Sequence, residues 1–217
     1  MENGYDDMYS EMFYTEKGAR QTMMIHCHQP VSLKERLMFF YNFLQAPGQV
    51  GSITPSSHAL AKQMMKPIDW DKAQTIVELG AGTGIFTKWI EELKRTDATL
   101  VSFEKETSMR KRLELQFPDT LFHEDAVELV RVLNEAGLGK ADGIISGLPF
   151  ANFPQALRDQ IMEQVYAALK PGGVFVAFQY SLQMKKQLKD VFTNVSVKLV
   201  PFNVPPAFVY VCRKEIG

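Results

Sequence analysis

The stretch Gln74-Thr75-Ile76-Val77-Glu78-Leu79-Gly80-Ala81-Gly82-Thr83-Gly84-Ile85-Phe86 decides how the rest of the chain is read. Thr75 to Leu79 is a short β-branched and apolar run, and it ends in glycines at alternate positions, 80, 82 and 84. Phe86, Trp89, Ile90 and Leu93 then recur at helical spacing. The pattern predicts strand, tight glycine turn and helix, with a ligand over the turn, because such turns need backbone angles that a Cβ forbids and let the chain approach a ligand closely.

Spacing excludes two nucleotide classes. A dinucleotide fingerprint places its third glycine three residues after the second, where this chain has Ile85. A phosphate loop needs Gly-Lys-Ser/Thr, and Gly84 is followed by Ile85 and Phe86. Glu78 adds a carboxylate expected to face the pocket, which repels a pyrophosphate and suits a cationic ligand. Glu78-x-Gly80-x-Gly82-x-Gly84, with acidic Glu104 after the next strand, resembles the class I S-adenosylmethionine-dependent methyltransferases.

Composition sets the outer bounds. At 217 residues, with 46% hydrophobic and 23% charged residues, the chain suits one globular domain with some decoration. Its 24 basic and 25 acidic residues give no global attraction to nucleic acid or an anionic bilayer. Cys27 and Cys212 offer neither a disulfide framework nor zinc spacing, which suits a reducing cytoplasm. No signal peptide or long apolar run is written, so a cytoplasmic protein is expected.

Residues 1–52 read as an N-terminal helical segment ahead of a domain at 53–217. Tyr5, Met8, Tyr9, Met12 and Phe13 form an amphipathic stripe opposed by Asp6, Asp7, Glu11 and Glu16, packed on its own domain, serving as a lid, or anchoring the chain at a membrane. His26 and His28 alternate as metal ligands would, but no second cluster completes a site, and no metal is expected. Leu33 to Leu44 reads as a helix buried on one side. Ser56 or Ser57 is expected to cap a helix through Ala59, Leu60 and Met64, and the backbone donors at that start could hold a carboxylate.

Strands and helices alternate after the glycine turn. Strands are expected at Thr99–Phe103, Thr120–Phe122, Gly143–Ser146 and Val174–Tyr180, and helices at Ser108–Phe117, Ala126–Ala136, Pro154–Leu169 and Leu182–Val191. Val195–Val200 and Ala207–Cys212 are joined too closely for a crossover helix and must form an antiparallel hairpin. Alternation alone gives doubly wound α/β. The resemblance implies the Rossmann-like class I methyltransferase architecture, a seven-stranded, mostly parallel sheet with an antiparallel C-terminal hairpin.

Ligands of such sheets sit beyond the carboxyl ends of the strands. Glu104, twenty residues after Gly84, offers paired acceptors to a ribose cis-diol, and Asp125 with the Ala126 amide could read an adenine edge. Ser146-Gly147-Leu148-Pro149-Phe150 follows the fourth strand, and Phe150 is the candidate aromatic surface beside a sulfonium. That segment resembles the Asn/Asp-Pro-Pro-Tyr motif of amino-group methyltransferases, with Gly147 in place of the polar first residue. Together with Gly51-Ser52-Ile53-Thr54-Pro55-Ser56-Ser57, Phe178-Gln179-Tyr180 and Asn203-Val204-Pro205-Pro206-Ala207, it resembles the bacterial phospholipid N-methyltransferases over residues 36–212.

The resemblance implies S-adenosylmethionine as cofactor. Its expected contacts are Glu78, Gly80, Ala81, Gly82, Gly84, Glu104, Lys105, Asp125, Ala126, Ser146, Gly147 and Leu148, with Ser56 and Ser57. Tyr180 is the candidate for orienting an amine and His58 for relaying its proton. A lipid headgroup amine, with peripheral contact at the inner membrane face, is the leading acceptor. A diffusible small molecule under an N-terminal lid is the alternative, and an rRNA adenine comes third because no basic stripe or RNA-binding domain follows.

Overall fold

A computed structural model describes residues 55–203 and 205–216, all within one compact unit. The expectations for the N-terminal helix, His26 and His28, the Leu33–Leu44 helix and the boundary at residue 52 lie outside the described residues.

The elements run α1 (Pro55–Met65), β1 (Thr75–Leu79), α2 (Ile85–Leu93), β2 (Thr99–Phe103), α3 (Thr107–Gln116), β3 (Leu121–His123), α4 (Leu129–Glu135), β4 (Ala141–Ser146), α5 (Gln155–Ala168), β5 (Leu169–Gln179), α6 (Met184–Val191), β6 (Asn194–Val200) and β7 (Ala207–Arg213). They form a seven-stranded sheet in the order β3-β2-β1-β4-β5-β7-β6. The first five strands pair in parallel, and β7 pairs antiparallel with both β5 and β6. The order reverses between β1 and β4, so a crevice opens beyond their carboxyl ends.

Every residue of β1 is buried, as a central parallel strand covered on both faces requires. Val77 and Leu79 face a core shared with α4, α5 and α6, including Leu133, Val165 and Leu188. Ile76 faces the opposite core, which holds Leu60 and Met64 of α1 and Ile90 of α2. At the start of β1, Asp142 Oδ2 accepts from the Gln74 and Thr75 amides at 2.8 and 2.9 Å, and its Oδ1 meets Lys170 Nζ at 2.7 Å. One carboxylate thereby ties β1, β4 and β5 together at the edge remote from the crevice. Burial pushes the Asp142 carboxyl up, but Lys170 and the two amides outweigh it and hold the group below the usual carboxylate range.

The structure corrects three boundaries. Helix α1 already includes Pro55, a residue preorganised for a first helical turn, so Ser56 and Ser57 fall inside that turn and neither is the cap. The expected Ala126–Ala136 helix is a 3-10 turn over Ala126–Glu128 followed by α4, because Asp125 captures the Val127 amide and tightens the first turn. Strand β5 begins at Leu169, five residues before the expected start. Its pairing with β4 slips between Ala141 and Gly143, where Lys170-Pro171-Gly172-Gly173 bulges with Gly172 at φ +76°.

Gly84 caps α2 at φ +85°, and a Cβ there would lie 2.6 Å from Leu113 Cδ2 on α3. Gly82 has φ +57° with nothing within 4 Å of an added Cβ. Gly82→Ala is therefore expected to cost about 1–2 kcal/mol for backbone conformation alone. Gly84→Ala should cost about 1–3 kcal/mol more through overlap with α3. Urea-unfolding midpoints of the two variants, compared at equal slope, check the ordering.

Candidate functional site

The glycine turn is built by hydrogen bonds to its neighbours. Gly80 and Ala81 both donate to the Phe103 carbonyl of β2, at 2.8 and 3.1 Å, and Gly84 donates to the Ala81 carbonyl at 2.9 Å. All three glycines hold positive φ. The face of Gly82 is open, whereas Gly80 and Gly84 press against side chains of Leu148 and Leu113. The turn thus leaves open space for a ligand at one position and locks into the fold at the other two.

Glu78 lies deeper than expected. Its side chain is fully buried on the α1–α2 side of the sheet, where Oε2 accepts from Thr87 Oγ1 and Ser102 Oγ, each at 2.7 Å. Oε1 is buried without a hydrogen-bond partner. Burial pushes the Glu78 carboxyl up to about 7, against the opposing effect of the two hydroxyls. An orphaned buried acceptor below an open glycine turn fits a ligand that brings a cationic group.

Beyond β2, Glu104 is half-buried and its oxygens are already oriented. Oε2 accepts from the Gly82 amide at 2.8 Å and Oε1 from the Glu106 amide at 2.9 Å. Each oxygen keeps a further acceptor site, which is what a cis-diol requires. Arg110, not anticipated from sequence, supports the same segment by donating from Nη1 to the Glu104 carbonyl at 2.8 Å. Exposed Lys105 bridges to Asp125 Oδ2 at 2.6 Å, while Asp125 Oδ1 accepts from the Val127 amide. Burial acts to raise the Asp125 carboxyl, but Lys105 and that amide together hold it below the usual range. Ala126, beside it, is buried.

Beyond β4, Ser146 is buried and its hydroxyl accepts from the Leu148 amide at 3.2 Å. Gly147 donates to the Leu79 carbonyl at 2.8 Å, and an added Cβ would stand 2.8 Å from the Gly80 carbonyl oxygen and 3.7 Å from the Phe86 ring. No larger residue fits at 147 while β1 and β4 stay this close. Gln179, a buried residue at the end of β5, donates from Nε2 to the Leu148 carbonyl at 2.9 Å and accepts at Oε1 from the Ala151 amide at 3.3 Å. Sequence reasoning gave Gln179 no role, although a buried amide at a strand end signals a loop being held.

Phe150 requires a correction. Its ring is 1% exposed and meets Phe153 and Phe175 edge to face at centroid distances of 5.9 and 6.4 Å, so it belongs to the core and offers no ligand surface here. The less buried rings are those of Phe86, which stands against Phe178 at 5.8 Å, and of Tyr180, 5.7 Å from Phe178. Burial pushes the Tyr180 hydroxyl up, partly offset by its hydrogen bond with Asn203 of the β6–β7 connection. His58 is exposed on α1, its ring edge-on to Trp89 at 4.8 Å. The side chains of Ser56 and Ser57 lie outside the described structure.

Glu78 makes the stability pH-dependent with a definite sign. Its carboxyl rises from 4.5 to about 7 on folding, so between those values the folded state holds the extra proton. Its contribution is full below pH 4.5 and is lost as pH rises through 7. Relative to Glu78→Gln, the ligand-free wild type should lose stability on the order of 2–3 kcal/mol between pH 5 and pH 8. Parallel unfolding curves across that range measure it, and equal slopes in the two proteins would contradict the assignment.

Comparison with known proteins gives the family and the fold. Residues 48–200 match the family described as methyltransferase small domain. A curated relative, ornithine lipid N-methyltransferase of Singulisphaera acidiphila, is 29% identical over 186 residues, covering 83% of this chain and 97% of the relative. The N-methyltransferase NodS of Bradyrhizobium japonicum, solved with S-adenosyl-L-homocysteine, superposes with a TM-score of 0.59 at 11% identity, covering 81% of this chain and 97% of that one. The 16S rRNA N2 G1207 methyltransferase RsmC of Thermus thermophilus, solved with AdoMet and guanosine, gives a TM-score of 0.56 at 19% identity over 77% of this chain. This chain spans 45% of the length of RsmC and 48% of that of TrmN, also from T. thermophilus. The chain belongs to the methyltransferase small-domain family and is an S-adenosylmethionine-dependent methyltransferase.

Proposed function

We propose that the chain transfers a methyl group to the amine nitrogen of a lipid headgroup. The observation that carries this reading is the 29% identity to an ornithine lipid N-methyltransferase over 97% of that relative's length. Bound S-adenosylmethionine supplies an electrophilic methyl group to a nucleophile approaching in line. The chain's own residues bind, align and exclude water.

On this reading Glu104 takes the ribose hydroxyls with the acceptor sites left by the Gly82 and Glu106 amides. Asp125 and Lys105 flank the adenine side, and the Glu78 carboxylate attracts the cationic end of the donor. Gly147, which donates to the Leu79 carbonyl, and Leu148, held by Ser146 and Gln179, would line the crevice floor beside the bound donor. Tyr180 and Phe86 give the acceptor an aromatic wall. An apolar wall favours the neutral amine, which is the nucleophilic form, over the ammonium. Tyr180, fixed by Asn203, orients that amine.

Incubation with methyl-labelled S-adenosylmethionine and detergent-dispersed phosphatidylethanolamine or ornithine lipid should place label in the organic phase. Label confined to water-soluble acceptors in a cell extract would overturn the lipid assignment. Glu104→Ala should weaken S-adenosylhomocysteine binding by at least about a hundredfold, corresponding to two charge-assisted hydrogen bonds. Calorimetry measures this, and wild-type affinity in the variant would remove Glu104 from the site.

A further inference from the structure

Residues 181–206 combine positive charge with exposed apolar side chains. They contain Lys185, Lys186, Lys189 and Lys198 against one acid, Asp190, a local excess of three positive charges in a chain whose net charge is −1. All four lysines are exposed, and none pairs with an acid among the described residues. The same stretch exposes three large apolar side chains, Leu182 at 46%, Leu199 at 55% and Phe202 at 82%. Among the described residues no helix is long and apolar enough to cross a membrane, so any bilayer contact by these residues is made from the surface.

Topology places the β6–β7 connection on the crevice edge. Leu199 pairs with Phe208, and Phe208 with Gln179 at the carboxyl end of β5. The β6–β7 connection therefore emerges beside the ends of the parallel strands, next to Tyr180. Leu199 continues the row of Val195 and Val197, which pack on the core, yet it is more than half exposed. Phe202 points outward, while the adjoining Asn203 is buried, donates from Nδ2 to the Pro205 carbonyl at 2.7 Å and is hydrogen-bonded with Tyr180. Two neighbouring residues thus connect an outward apolar tip to the acceptor side of the site.

We propose that the β6–β7 connection, with Leu182 and the first turn of α6, is the surface by which this enzyme docks on an anionic bilayer. Phe202 and Leu199 enter the headgroup region, and Lys185, Lys186 and Lys198 meet lipid phosphates. An apolar tip ringed by unpaired cations matches such a surface in both polarity and charge. Docking there sets the acceptor side of the crevice against the plane from which headgroups are drawn. The proposal rests on the lipid reading above and adds the location of the membrane contact.

The test uses the full chain and sedimentation with vesicles of phosphatidylglycerol and phosphatidylcholine, against vesicles of phosphatidylcholine alone. Wild type should partition more strongly to the anionic vesicles, and the preference should fall with added salt. The double variant Phe202→Ser/Leu199→Ser should bind them about ten-fold more weakly, and Lys185→Glu/Lys186→Glu should abolish the anionic preference. Both must retain S-adenosylhomocysteine binding, which verifies the fold. In Phe202→Trp, emission should be quenched by lipids brominated along the acyl chain beyond the quenching of wild type. Unchanged partition in the serine variant, or an unquenched Trp at 202, overturns the proposal, including the case in which this patch docks a protein. Turnover of detergent-dispersed lipid is measured separately. Its absence in wild type sinks the lipid reading, whereas its presence with unchanged vesicle binding in the variants sinks only the docking surface.

Discussion

The site depends on how closely two backbone segments approach each other. The turn after β1 and the segment after β4 meet with Gly147 donating to the Leu79 carbonyl, while the Gly80 carbonyl stands where a Cβ on residue 147 would lie. A Cβ on Gly80 would in turn reach within 2.9 Å of Leu148. This reciprocal exclusion closes the crevice floor. Position 147 has no room for a side chain, since the carbonyl of Gly80, in the turn after β1, occupies that space.

Polar groups then hold this floor in place from several directions. Gln179 spans from β5 to the Leu148 and Ala151 backbone, Glu104 reaches back to the Gly82 amide, and Ser146 receives the Leu148 amide. Each contact restrains a connection by a side chain at or next to a strand end. Loops so restrained lose little further freedom when a ligand arrives, which is how a site on flexible connections becomes preorganised.

Much of this was legible in the sequence, for reasons that can be traced. Buried parallel strands are written as continuous apolar and β-branched runs, so β1 and β2 could be placed closely, while the short link between β6 and β7 betrayed the antiparallel C-terminal hairpin. Positive-φ glycines at alternate positions announced the turn. Strand β5 was seen only in part because Pro171-Gly172-Gly173 interrupts its pattern, although the bulge keeps both halves in one ladder. Phe150 and Phe86 have the same side chain, and no periodicity distinguishes the ring that turns into the core from the one beside Gly147. Gln179 and Asn203 stood out only as parts of family-like segments and Arg110 not at all, and the roles of all three went unread for a common reason. Their roles consist of long-range contacts to backbone, which leave no local spacing to read.

The Asp142 carboxylate, joining β1, β4 and β5 at the strands' starting ends, has a bearing on how such a protein diversifies. The sheet is fastened at one edge and does its chemistry at the other, with each strand's length between them. Substitutions that retune the crevice for a new acceptor leave the fastening untouched, and those that alter the fastening shift stability without altering which molecule is methylated. Ancestry in such a protein should therefore be recorded at the strand starts, and occupation at the strand ends.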